Sequence, residues 1–115
     1  LKHYGIEPSH APGHVYSSDE SGFAYTSTKT TYRYSYVRDH PAEWHGRYDA
    51  YSEAGINEKG VSCSATLSTT YNSDAKAADP RTNTGIGEYS YAGVILGESA
   101  TARDGVELIG SLIDE

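Results

Sequence analysis

The chain has 115 residues, about one domain's worth, and its Leu, Ile, Val and Phe together number 17, a thin stock for a core that 11 Tyr and one Trp partly repair. Nine Lys and Arg stand against 16 Asp and Glu for a net charge of −7, so the basic footprint of a nucleic-acid binder is absent and an anionic membrane would repel the chain. The acid excess sits in residues 82–115, where Arg103 faces six carboxylates.

Residues 1–22 hold Pro8, Pro12, Gly13 and a run of Ser and Asp without an apolar period, and are expected to be irregular. From 23 to 67 the composition turns to Thr, Tyr and Ser. Tyr32, Tyr34 and Tyr36 alternate with polar residues, which predicts a strand from about Thr30 to Arg38, ended by His40-Pro41. Two shorter strands, Tyr51 to Ile56 and Val61 to Leu67, then face each other across Asn57-Glu58-Lys59-Gly60. In that link Asn opens the turn and Gly supplies the positive φ that closes it.

Residues 68–88 are polar, broken by Pro80, Gly85 and Gly87, and are expected to be a surface loop; residues 89–115 are expected to be helical. Tyr91, Val94, Ile95 and Glu98 fit a short first helix, weakened by Gly93 and Gly97. The second is predicted from Ala102 to Asp114. Thr101 serves as N-cap with Asp104 three residues on, and Val106, Ile109, Leu112 and Ile113 form a stripe that should cover a sheet face. The whole forms a single segment, 1–115, of α+β class. The first residue is Leu1, the sequence has no Met, and the last helical pattern runs up to Glu115, which suggests a piece of a longer chain.

Few residues offer chemistry on their own. His3, His10 and His14 precede a Ser- and Asp-rich stretch, but their spacing matches no compact ligand pattern and no predicted element holds them, so they read as solvated loop histidines. His40 and His45 read as turn residues. Ser73-Asp74-Ala75-Lys76 fits S-x-x-K without the companion elements that chemistry needs. Gly85-Ile86-Gly87 lacks the third glycine of a dinucleotide loop. Cys63, the single cysteine, excludes an intrachain disulfide and lies mid-strand without a base or cation beside it in sequence, as a small buried residue would.

The run Glu53-Ala54-Gly55-Ile56-Asn57-Glu58-Lys59-Gly60-Val61-Ser62-Cys63-Ser64-Ala65-Thr66 is more specific than a hairpin. It resembles the E-A-G-x-N-E-x-G-V-x-x-S-A-T signature of the bacterial dipeptidase A family, cysteine hydrolases of the N-terminal-nucleophile superfamily. Ala77-Ala78-Asp79-Pro80, Gly85-Ile86-Gly87-Glu88 and Thr101-Ala102-Arg103-Asp104-Gly105-Val106-Glu107 resemble that family's following segments in the same order.

The resemblance implies a four-layer αββα sandwich and hydrolysis of short peptides by a cysteine freed at the mature N-terminus, with its own α-amine as base and no cofactor or metal. Residue 1 is Leu, so the nucleophile is expected outside this segment, in the remainder of the parent chain, and the segment alone is expected to be inactive. Cys63 occupies a position that is usually apolar in relatives and does not inherit the role. Donors to a developing oxyanion would come from Ser64, Thr66 or Asn72, since Leu67 falls where more distant acylases carry an asparagine. The resemblance fits a bacterial cytoplasmic or secreted protein alike. The rival reading is a noncatalytic secreted module whose Tyr25, Tyr32, Tyr34, Tyr36, Tyr48 and Tyr51 would stack on carbohydrate or peptide.

Overall fold

The computed structural model describes residues 4–18, 21–38, 52–65, 70–80, 82 and 84–114. His3, His40, Pro41, His45, Tyr48, Tyr51, Thr66 and Leu67 lie outside them. The hairpin forms as its turn chemistry predicts. Strands β5 (Ser52–Asn57) and β6 (Ser62–Ser64) pair antiparallel, with Ala54 opposite Ser64, Gly55 opposite Cys63 and Ile56 opposite Ser62. Gly60 takes a φ of +82°, which a side chain would resist, and its N–H donates to the Asn57 carbonyl at 3.0 Å.

The predicted tyrosine strand is shorter than its alternation suggested: β4 spans Tyr34–Arg38. The backbone of its missing first residues is committed elsewhere. Thr31 N–H bonds the His10 carbonyl at 2.9 Å and Tyr32 N–H bonds the Gly97 carbonyl at 2.8 Å, so neither is free for a ladder.

The N-terminal stretch departs from its irregular expectation, for it contains strands β1 (Tyr4–Glu7) and β2 (Val15–Ser17). Both are too short to show a period, and each is made by a remote partner. β1 pairs with β4, giving a four-stranded antiparallel sheet in the order β1-β4-β5-β6; β2 pairs with β3 (Ala24–Thr26) in a separate two-stranded ribbon. The expected loop at 68–88 also contains a helix, α1 (Ser73–Ala78), whose first turn is capped by the Asn72 side chain. Helix α2 (Glu88–Glu98) begins one residue before the helical region expected from 89, and α3 (Ala102–Asp114) runs as predicted. The α+β class holds: antiparallel strands followed by helices.

The register divides the sheet into two unlike faces. Gly5, Tyr36, Gly55 and Cys63 lie opposite one another in a row, as do Glu7, Tyr34 and Asn57. These rows face α2. Tyr34, Ala92 and Leu96 form the core cluster, with Tyr36 and Cys63 packed against it. Gly55 is required at the closest approach, because a Cβ there would lie 2.7 Å from Leu96 Cδ1 and would strike the Ser35 carbonyl. Ala92, Val94 and Leu96 are fully buried, each of the larger two contributing about 1.5–3 kcal/mol by leaving water. Tyr34 and Tyr36 are therefore packing residues and are not available to an open stacking face, while Tyr48 and Tyr51 of that reading lie outside the described residues.

The opposite face carries Tyr4, Ile6, Val37 and Ile56, all exposed, with Ile6 at 68%. Ser35, Ser62 and Ser64 share it and are exposed too. Helix α3 shows a related departure. Thr101 and Asp104 form the expected reciprocal cap, Asp104 N–H donating to Thr101 Oγ1 at 3.2 Å and Thr101 N–H to Asp104 Oδ2 at 2.9 Å. Yet the stripe covers no sheet face among the described residues: Val106 is 74% exposed and Ile113 60%, while Ile109 and Leu112 are half-buried. The helix docks on α2 instead through buried Gly105, where a Cβ would stand 3.0 Å from Ile95 Cγ2.

Candidate functional site

The signature segment is organised around Asn57. Its side chain is buried, 5% exposed, and all of its hydrogen-bonding capacity is used. Oδ1 accepts from Lys59 N and Val61 N, both at 3.0 Å, holding the turn closed. Nδ2 donates to the carbonyls of Leu96 at 2.9 Å and Ser99 at 2.7 Å.

Those carbonyls belong to the C-terminal end of α2, where helix geometry leaves the last acceptors without intrahelical donors. Neighbouring acceptors are met from equally distant segments: Gly97 O by Tyr32 N at 2.8 Å and Glu98 O by Lys29 Nζ at 2.8 Å. Glu98 is itself buried; its Oε1 accepts from Ser27 Oγ at 3.2 Å and lies 3.9 Å from Lys29 Nζ. Tyr16 covers the same turn, its hydroxyl occupying the space a Cβ on Gly97 would take, and burial pushes its phenol far above the ordinary range. The asparagine and glutamate of the N-E-x-G turn thus have structural work, with Glu58 Oε1 accepting from Arg33 N at 3.0 Å.

Ser64 ends β6 on the exposed face, opposite Ala54 and away from α2. Asn72 is exposed at the start of α1, where its Oδ1 accepts from Ala75 N at 2.9 Å. Thr66, the remaining oxyanion candidate, is outside the described residues. Cys63 points the other way from Ser64, half-buried against the core, and burial pushes its thiol up from its ordinary value. A nucleophilic cysteine needs a depressed pKa, so this environment suits packing.

One constellation departs from the sequence reading of His10 and His14 as solvated loop histidines held by no element, since Thr31 and Ser27 pin their backbone. Glu7, His10 and His14 converge so that their ligating atoms all lie within 4.8 Å of one another. Glu7 Oε1 and His10 Nε2 are 2.6 Å apart, the rings of His10 and His14 stack at 3.9 Å, and Tyr16 meets the His14 ring edge-on at 4.8 Å. Burial, followed by the neighbouring His10, lowers the His14 pKa from its ordinary value, with Glu7 opposing. The sequence did carry a signal in the spacing Glu7-x-x-His10-x-x-x-His14. The scaffold that makes it matter comes from Ser27 and Thr31, which no local pattern ties to these histidines.

A family model described as Peptidase family C69 matches residues 2–115, and the chain belongs to that family. A "Probable dipeptidase B" of Streptococcus pyogenes serotype M3 (strain ATCC BAA-595 / MGAS315) is 42% identical over 103 residues, covering 90% of this chain and 20% of its own length. A "Probable dipeptidase A" of Streptococcus pyogenes serotype M18 (strain MGAS8232) is 33% identical over 110 residues, covering 96% of this chain and 22% of its own. The chain thus spans about a fifth of the length of these curated relatives.

Proposed function

We propose that these 115 residues are part of a dipeptidase that cleaves short peptides through an N-terminal cysteine nucleophile lying outside them, and that they contribute one sheet and one helical layer of an αββα sandwich. The observation that carries the reading, alongside family membership, is the two-faced sheet. One side is sealed by α2, whereas the other exposes Tyr4, Ile6, Val37 and Ile56, the surface a second sheet would cover.

In the proposed reaction the cysteine sulfur attacks the peptide carbonyl carbon, the C–N bond breaks, and the leaving amine takes the proton that the cysteine's α-amine had accepted from the thiol. Water then hydrolyses the thioester. Of the two oxyanion candidates among the described residues, Ser64 has its place on the open face in its favour, with a hydroxyl able to donate. Asn72 already spends its carbonyl on a helix cap, leaving only its amide N–H₂ for the task.

The test uses the intact parent and the 115-residue chain side by side on a dipeptide panel. Activity is expected in the parent alone. It should vanish on replacing the parent's N-terminal cysteine by Ala and survive Cys63→Ser. Ser64→Ala should cost about 10²–10³ in kcat if the hydroxyl serves the oxyanion. Turnover by the isolated chain that disappears with Cys63→Ser would overturn the proposal.

A further inference from the structure

We infer that Glu7, His10 and His14 form a binding site for a divalent transition-metal ion of the zinc type, separate from the peptidase chemistry. Two imidazoles and one carboxylate are a borderline donor set that suits Zn²⁺, Co²⁺, Ni²⁺ or Cu²⁺; Ca²⁺ and Mg²⁺ prefer oxygen donors throughout. Around such an ion, ligand bonds of about 2.0–2.2 Å put neighbouring donors about 3.3 Å apart. The observed donors already fall within 4.8 Å of one another, and the His10 and His14 rings, now stacked within 5° of parallel, would have to turn out of that stack to aim both nitrogen lone pairs at one ion. The contact between Glu7 and His10, at 2.6 Å, would open by less than an ångström to admit the ion.

The ligands do not sit on a free loop. Glu7 closes β1 and is held in register opposite Tyr34. His10 is fixed at both backbone groups by Thr31, its N–H donating to Thr31 Oγ1 at 2.8 Å and its carbonyl accepting from Thr31 N at 2.9 Å. The hydroxyl of Ser9 donates to the Thr31 carbonyl as well. On the far side Gly13 N bonds Ser27 O and Ser27 N bonds His14 O, each at 2.8 Å, continuing the β2–β3 ladder past Val15. Both anchors, Ser27 and Thr31, are buried. Three of the four positions of a tetrahedral ion would thereby be supplied from a pinned backbone, leaving the fourth for a water ligand. Such an ion would clasp the end of β1 to the start of β2.

The intact protein, stripped with a chelator and dialysed, would be titrated at neutral pH with Co²⁺ and followed by visible absorption, with Zn²⁺ then added to displace it. One equivalent of Co²⁺ should produce a ligand-field spectrum that Zn²⁺ abolishes. His10→Ala, His14→Ala and Glu7→Gln should each weaken binding at least tenfold, the lower bound for disturbing even an outer partner of a metal ligand. Asp74→Asn, an exposed acid elsewhere, should leave it unchanged. His14→Gln, which keeps a polar side chain of similar reach, serves as a second variant, and apo circular dichroism of each variant shows that the fold is retained. Absence of a one-equivalent spectrum, or His10 and His14 variants that bind Co²⁺ as tightly as the parent, would overturn the inference.

Discussion

Replacing Asn57 by Ala should be among the most damaging single changes in this segment. It removes four hydrogen bonds at once and leaves the Leu96 and Ser99 carbonyls and the Val61 N–H without their side-chain partner. The Lys59 N–H, on an exposed residue, can turn to water. A buried polar group left unsatisfied costs about 1–3 kcal/mol. With three such groups and some relief by shared or entering water, the expected loss is about 3–5 kcal/mol, a large share of a typical domain's 5–15. Asn57→Asp should be worse at neutral pH, because a carboxylate oxygen would then face two carbonyl oxygens where an amide N–H₂ now donates. Urea unfolding of the intact protein measures the loss, and amide exchange locates it: protection should fall together in the 57–61 turn and at the end of α2. A loss below about 1 kcal/mol, or exchange confined to the turn, would refute the view that one side chain joins the hairpin to the helix.

Two further outcomes follow from the environments described. Burial raises the folded pKa of Cys63, so the fold favours its neutral thiol; that contribution is present below the unfolded pKa and is lost as pH rises through the folded value. Alkylation of Cys63, followed by peptide mapping, should therefore show a half-maximal rate above pH 9.0 in the native protein and a lower one in urea, and a native midpoint below the ordinary value of 9.0 would contradict the assignment. Val106, 74% exposed, should tolerate replacement by Ser within about 0.5 kcal/mol in the 115-residue chain, and a larger loss in its unfolding curve would mean that the stripe of α3 is covered.

The elements that the sequence announced are those whose causes are local. Asn57 to Gly60 closes its turn with its own side chain and its own positive φ, and Thr101 and Asp104 cap α3 within four residues. Strand β1 could not be read this way, since its four residues become a strand only by lying against β4. The shortened start of β4 has the same origin, its backbone being claimed by His10 and Gly97. The stripe on α3 is a true amphipathic pattern, but a pattern names a face without naming what covers it. For the site, motif order gave the family, whereas the histidine cluster depended on Ser27 and Thr31, distant in sequence from the ligands they hold. Of the oxyanion candidates, Ser64 is placed on the exposed face by strand register and Asn72 at the start of α1 by its cap, neither of which a local pattern supplies.

The two-faced sheet has a consequence for the life of the chain before it is finished. Once β1 to β6 and α2 have formed, a broad apolar surface remains in water, flanked by the outer strands β1 and β6, and such surfaces pair readily with other copies during synthesis. The net charge of −7 opposes that by making copies repel one another, and the acids concentrated after residue 82 place much of it on the helices that follow the sheet in sequence. Expressed alone, the segment should be soluble at low ionic strength and increasingly prone to self-association as salt screens that repulsion.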